Sequence, residues 1–532
     1  MIRAFVSSLA LAACVASAQP VRLAATPQKF RTFYSLDDSA VPATLKQTVP
    51  PHPVAIDAMC VAADGAVWYG ARQGVVRYQP RAAPRDRVQY FAGKRYLPDD
   101  EVLHIVADSS AGVWVRTKSG VSHIELRPMT LAAKAEIFEQ RIRERHDRWG
   151  MVSPSILQIP GGVKSNRMRD DDNDGLWTAI YAAAECFRYA VTKSPEALAR
   201  ATKSIEAILF LEEVAGKRGF PARSYLKKGE PPPRDGEWHW SPDGQYYWKA
   251  DTSSDEIVGH FFIFGIASDL LPPSPLNQRI RETAARIMDH IIANNYYLID
   301  LDGKPTRWGK WNMEYLRAAA GDGPLNALEL LSFLKTAAHV TGDAKYEKEY
   351  RKAAIDLGYA AMTARLKELR DELNYSDEEL AFLPFYLLFR YEKDSELLNR
   401  YYRPAMDQWW ENASREDNPL WTFIYLTGRP EKGSDRTLLE GAARTLYRSP
   451  IDAISWTVKN SHRRDLEWSG ELDRFGKKQS LTLLPPDERP VMKWNANPFV
   501  VDGGADGRAE DDGAAFLLPY WLGRHHRFLD GE

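Results

Sequence analysis

The 532 residues carry 44% hydrophobic and 27% charged side chains, an ordinary balance for a soluble globular protein, and are too many for one compact core, so two or more units are expected. Lys and Arg total 70 against 72 Asp and Glu; with no basic field, the chain lacks the electrostatic footprint of a nucleic-acid binder. Sixteen Trp and 24 Tyr supply flat amphipathic rings that serve core packing and stacking on sugar faces alike.

Residues 1–18 read as an export signal. Met1-Ile2-Arg3 carries one positive charge, 4–13 is a short apolar run, and Ala16-Ser17-Ala18 offers small residues at a peptidase site. Leu11-Ala12-Ala13-Cys14 also resembles a bacterial lipobox, which would make Cys14 a lipidated first residue. On both readings the expected product is exported: periplasmic or extracellular, free or tethered as an outer-membrane lipoprotein. No later stretch reaches the ~20 apolar residues of a membrane-spanning helix. Cys60 and Cys186 stand far apart with no CxxC neighbour, which argues against a zinc site or disulfide framework and for small buried hydrophobes.

Over 30–127 the pattern has the short period of strands. Ile56-Asp57-Ala58-Met59-Cys60-Val61, Val67-Trp68-Tyr69-Gly70 and Gly74-Val75-Val76-Arg77-Tyr78 return as 102–106, Gly112-Val113-Trp114-Val115 and 120–124, with Trp68 to Trp114 and Gly74 to Gly120 both spaced by 46 residues. This is similar to the repeat of two-component-regulator propellers. A closed propeller needs at least about four blades, so the segment is expected to form a small β-repeat module rather than a ring.

An entry helix is expected over 132–148, followed by a Gly/Pro-containing strip. From 175 onward helical periodicity dominates. Helices are predicted in pairs over 176–190 with 195–215, 255–270 with 276–294, 324–340 with 344–370, 377–391 with 396–412, and 419–426 with 436–447, with a late helix over 510–522. The loops between them, such as 216–252 and 301–323, are long, aromatic and Gly-containing. Unequal pairs and loops fit a regular solenoid poorly. The expected class is mainly α: an (α/α) toroid of about six or seven helical hairpins over 150–525, with the β module before it.

Three strips carry the candidate chemistry. In 166–175, Asp170, Asp172, Asp174 and Gly175 fit the start of an EF-hand loop, but its bidentate Glu is replaced by Tyr181. Helix capping explains Asp172 and Asp174, and Asn173 is placed to face a substrate acid group. In 246–260, Thr252 or Ser253 caps a helix that carries Asp255 and Glu256 in its first turn, with His260 one turn above Glu256 on the same face; Tyr247 and Trp248 precede it. His260 is either a hydrogen-bonded core histidine or a site residue. In 302–315, Arg307, Trp308, Trp311, Asn312 and Tyr315 gather an anion-binding fork, two stacking rings, an amide and a phenol. Asn374 to Glu379, with Ser376 and Glu379 as a capping box, together with His462 and Trp494-Asn495, are supporting candidates. No cofactor motif and no metal-ligand set is expected, with a looser cation site at Asp170, Asp172 and Asp174 as the open alternative.

The strips 251–260 and 306–315, with Asp174-Gly175-Leu176-Trp177 as a third, resemble toroidal polysaccharide lyases of the alginate and glucuronan type. The resemblance implies that Asn173, His260 and Arg307 neutralise a uronate carboxylate and that Tyr315, or Tyr247 in its place, moves the C5 proton. Tyr247, Trp248, Trp308, Trp311, Asn312 and His462 would then line a polysaccharide or oligosaccharide. Two other readings stay open. One is a toroidal glycoside hydrolase drawing on Asp251, Asp255, Glu256 and Glu314 as paired carboxylates. The other is a non-catalytic glycan-binding surface protein.

Overall fold

The computed structural model describes residues 20–46, 58–153, 155–231, 235–319, 321–370, 374–433, 435–490 and 496–531. The export signal with Cys14, the first residues of the first repeat and Trp494-Asn495 lie outside them, as does the Glu379 side chain.

Eight strands open the fold: β1 (Thr26–Tyr34), β2 (Ala58–Val61), β3 (Val67–Ala71), β4 (Gly74–Tyr78), β5 (Val88–Phe91), β6 (Val102–Ala107), β7 (Val113–Thr117) and β8 (Val121–Met129). β2 to β5 form one four-stranded antiparallel meander. β6 to β8 form a second, completed by β1, which pairs along β8 from Thr26↔Met129 to Tyr34↔Val121. Trp68 and Trp114 occupy matching positions on β3 and β7 but differ in surroundings. Trp68 is sealed in a core with Val75, Phe91 and Ile105, whereas Trp114 stacks on His123 at 4.1 Å. A β-carbon on Gly70 would lie 2.4 Å from Val102 Cγ1, so the absence of a side chain lets the two sheets meet.

The helices are α1 (Leu131–Arg145), α2 (Asp174–Thr192), α3 (Pro195–Ala215), α4 (Ser254–Leu270), α5 (Pro275–Ala293), α6 (Gly323–Thr341), α7 (Ala344–Arg351), α8 (Tyr375–Tyr391), α9 (Arg403–Ala413), α10 (Pro419–Gly428), α11 (Arg436–Arg448) and α12 (Ala514–His525). α2 packs on α4, α4 on α6, α6 on α8, α8 on α10, α10 on α12, and α12 returns to α2, so the even-numbered helices close a cycle. The odd-numbered helices lie against them from outside.

Sequence explains this division. In α4 the buried residues run without interruption from Glu256 to Ala267, which suits a helix surrounded by protein. In α5 only Leu276, Ile280, Ala284, Ile287 and Ile291 and their neighbours are buried, a stripe at helical spacing. Helix starts follow local chemistry. Ser194 and Ser253 accept the Ala197 and Glu256 N–H groups, and Pro195 and Pro275 occupy first turns. Asn374, rather than Ser376, caps α8 by accepting the Ser376 N–H.

Four expectations change, one being that the helix expected over 396–412 opens with a short helix and a π-helical turn before α9. The helix expected over 344–370 is interrupted. A π-helical turn follows α7, Gly358 adopts φ +81°, and two short helices complete the span. The last helix begins at Ala514, not at 510. Cys186 is buried, but Cys60 is only half-buried. Among the described residues no helix is long and apolar enough to cross a membrane.

The approach of α2 to α4 depends on glycine. A β-carbon on Gly259 would lie 2.7 Å from Leu176 Cα. Gly259→Ala is expected to cost about 1–3 kcal/mol of stability through overpacking, whereas Gly470, with open space around it, should accept Ala with little change. Urea unfolding followed by circular dichroism makes the comparison.

Candidate active site

Each odd-numbered helix carries the chain back along the outside, so the even-numbered helices run parallel and their N-termini collect at one mouth. Asp377 on α8 lies within electrostatic reach of both Asp255 on α4 and Asp322 before α6 there. Burial, then the neighbouring Asp255 and Asp322 charges, push the Asp377 carboxyl up against the opposing pull of Arg370, whose Nη2 is 2.5 Å away. Burial also raises Asp255, against the opposing pull of Arg223. Both side chains retain partial contact with solvent. They are crowded by protein yet open to water, as befits the floor of a cup.

Asp255 is held by a short relay. Asn173 Nδ2 donates to Asp255 Oδ2 at 2.8 Å, while Asn173 Oδ1 accepts from Arg223 Nη2 at 2.8 Å and from Ser253 Oγ at 2.9 Å. Arg223 also donates to the Asp172 and Asp251 carbonyls. Asn173 thus orients a carboxyl of the protein itself. The Asp172 side chain pairs with Lys249, and Asp174 is buried against Arg148 and Ser224, so neither side chain serves as the cap of α2.

One residue deeper, the carboxyls are sealed. Glu256 accepts the Gly175 N–H at 3.1 Å, and Glu329 accepts from Trp311 Nε1 at 2.7 Å. Burial raises both well above the carboxylate range, and it pushes Glu378 up to about 8.

His260 belongs to this sealed layer. It is fully buried, donates from Nδ1 to the Glu256 carbonyl at 2.6 Å, and faces Ile208 and Glu212 of α3, on the outer side of α4. It does not open on the cup, so the expected contact with a uronate is absent. The helical spacing correctly put His260 and Glu256 on one face, but that face points away from the mouth.

The strip 302–315 divides. A hairpin of β9 (Tyr297–Ile299) and β10 (Pro305–Lys310) carries Arg307 and Trp308 to the rim, with 70% of the Arg307 side chain and 50% of Trp308 exposed. Asp251 anchors this hairpin by accepting the Arg307 N–H at 2.8 Å, and it does so in a left-handed conformation at φ 51°. Trp311 is core, not a sugar platform. Asn312 caps the short helix Met313–Ala318 by accepting the Glu314 and Tyr315 N–H groups, which uses its amide structurally. Tyr315 is half-buried with its hydroxyl 3.4 Å from Asp322 Oδ2, and burial followed by the Asp322 charge pushes the phenol up, opposite to what a base requires.

Strands 224–227, 238–240 and 246–249 form a sheet beside the cup. Tyr247 shares one face with Trp238 and Trp240, and Trp240 is 55% exposed. Trp248 points to the other face and is buried against His239 and Phe220, so it offers no platform. His462 leaves the site altogether: its Nε2 lies 3.0 Å from the Tyr90 hydroxyl near β5. The mouth therefore gathers Asn173, Arg307 and Tyr315, with Trp308 on the Arg307 hairpin, while Tyr247 lies on the sheet with Trp238 and Trp240, and His260, Trp248, Trp311, Asn312 and His462 are left out. Arg223, Arg370 and Trp240 were not expected from sequence. For Trp240 the signal was the density of aromatics over 238–248. Among the described residues no group of three His, Cys, Asp or Glu is arranged to hold a metal ion.

The sequence matches no protein-family model and no curated protein. Among solved structures, a polysaccharide lyase aligns over 74% of this chain and 97% of its own at 13% identity and a TM-score of 0.36. A single mutant of a thermostable endoglucanase from Alicyclobacillus acidocaldarius aligns over 90% and 100% at 11% identity and a TM-score of 0.38. Likenesses this loose leave the chemistry of the cup to be read from its own residues.

Burial lowers His260 from 6.5 to about 4, so between those pH values the unfolded chain takes up a proton that the folded chain refuses. Stability should fall as pH drops through this window, by about 3 kcal/mol in full. Urea unfolding at pH 7 and pH 4 should show the wild type losing that much more than His260→Gln. Equal losses would mean that His260 already meets water.

Proposed function

We propose that the chain is an exported carbohydrate-active enzyme, an (α/α) toroid with a propeller-like accessory module, that cleaves a polysaccharide or oligosaccharide by hydrolysis in the cup. The observation that carries this reading is the pair Asp255 and Asp377, raised carboxyls on two inner helices that share one solvent-accessible floor. Glycoside hydrolysis needs a protonated carboxyl for the leaving oxygen and an ionised one opposite it. Asp255, whose direct hydrogen-bond partners are the neutral Asn173 and Ser254, is the acid. Asp377, against the Arg370 guanidinium, is the carboxylate that activates water or attacks the sugar. Trp240, Trp308 and Tyr247 provide faces on which sugar rings stack beside the cup.

The lyase reading, β-elimination on a uronic-acid glycan, has one observation in its favour. Arg307 presents an exposed guanidinium at the rim beside Trp308, paired with Asp251 at 3.6 Å through Nη2 alone, which leaves donors for a uronate carboxylate.

The two chemistries separate on the same samples. Asp255→Asn is expected to lower reducing-end release about a hundredfold to ten-thousandfold, and Tyr315→Phe to leave it within about threefold. Product should show no ultraviolet absorbance from an unsaturated uronate. Absorbing product together with an inactive Tyr315→Phe would replace hydrolysis by elimination. Trp240→Ala should raise KM about fivefold at nearly constant kcat if that ring binds sugar uniformly.

A further inference from the structure

The sheet formed by β2 to β5 is apolar on both faces. Its registers place two rows of side chains on the face turned away from the second sheet. Met59, Tyr69, Val76 and Tyr90 stand opposite one another in one row, and Val61, Val67, Tyr78 and Val88 in the next. An antiparallel sheet with one face in a core commonly alternates apolar inside with polar outside. Here none of the eight positions is charged, and Met59, Val61, Tyr69, Tyr78 and Val88 are 67, 61, 42, 40 and 48% exposed. Tyr90, at one corner, meets the C-terminal loops: Arg463 lies over its ring and His462 meets its hydroxyl.

The neighbouring faces show what such a surface takes. On its other side the same sheet buries Trp68, Val75 and Phe91 against Ile105, Val113 and Val115 of the second sheet, an apolar sheet-on-sheet contact. The far side of the second sheet is closed by the chain itself. Val41 and Leu45, the latter on the short helix Ala43–Lys46, pack on Val121 with Tyr34 and Trp114. Arg116 Nη1 donates to the Leu45 carbonyl at 2.8 Å, and His123 pairs with Asp108 beside it. One end of this two-sheet stack is therefore covered and carries polar groups, while the other is open and apolar. Stacked repeats stay soluble singly when their terminal faces are polar, and an open apolar face marks an interaction surface.

We propose that the outer face of β2 to β5 is a homodimer interface, packing on the same face of a second copy about a two-fold axis. Two features select a second copy. The contact between the two sheets of this chain shows that a sheet of this repeat accepts another like it. A two-fold contact also sets a patch against itself, so any charge on it would meet its own like charge, and these eight positions bring none. Five partly exposed side chains fall short of the ~800 Å² per partner of a standard interface, so the dimer is weak, half-formed at about 1–100 μM. The assignment stands independently of the chemistry in the cup.

Sedimentation velocity of the full chain from about 1 to 300 μM tests it. The expected result is a reversible monomer–dimer equilibrium. Tyr69→Glu and, in the other row, Val61→Lys should each raise the midpoint at least about tenfold by burying an unpaired charge. Both should keep Tm within about 3 °C of the wild type at low concentration, as befits exposed positions. Phe475→Glu, at a residue 74% exposed but outside these strands, should leave the dimer unchanged. Tyr69→Glu mixed with Tyr69→Lys at low salt should dimerise more tightly than either variant alone, since a two-fold contact then sets opposite charges across the face. A dimer untouched by both face variants, equal loss in Phe475→Glu, or no gain in the mixture would overturn the interface. So would a monomer at every concentration, which would leave the face to residues 47–57 of the chain or to a foreign ligand.

Discussion

Helices that are buried on every side have nowhere along their length to place a charged group. α4 illustrates the constraint: from Glu256 to Ala267 every residue is inside, and the polar side chains among them, Glu256 and His260, survive only with altered protonation. Charges that must stay ionised are driven to the helix ends. Because the inner helices run parallel, six sets of helix N-termini arrive at one mouth, where exposed N–H groups favour acidic side chains. The cup of carboxyls follows from how the ring is packed as much as from any demand of catalysis.

Depth then separates residues that are neighbours in sequence. Asp255 and Glu256, or Asp377 and Glu378, differ by one position and by about 100° around the helix. One member of each pair keeps contact with water, while the other is locked in the core, where burial pushes its carboxyl up. The Arg223–Asn173–Asp255 relay adds orientation. It joins two loops to the first turn of α4 through a single amide, so the geometry of Asp255 depends on a residue about eighty positions upstream.

The junction between the strands and the ring is built differently, from buried ion pairs instead of apolar area. Arg448 meets Asp487, Glu488 and Asp86, and Lys29 meets Asp487. Such pairs add little net stability because desolvation offsets attraction, yet breaking one is costly. They fix how the two parts sit together, and Arg95 adds hydrogen bonds from Nη1 to the Asp487 and Arg489 carbonyls at the same junction.

Helical periodicity and local caps were legible along the chain: the starts after Ser194 and Ser253, the amphipathic stripe of α5, and the strand repeats around Trp68 and Trp114 can all be read from neighbours within a few residues. The break at Gly358 was not, since glycine inside a helical pattern stops the helix only where the packing around it demands a left-handed turn. For the site, the sequence marked the right strips but not the right faces. Arg307, Trp308 and Asp255 reach the mouth, while His260, Trp248 and Trp311, as promising by type and spacing, turn inward. Residue identity and local spacing determined which segments are helical and where polar groups cluster. Only closure of the ring decided which of those groups meet water, because burial is set by contacts with residues far away in the chain.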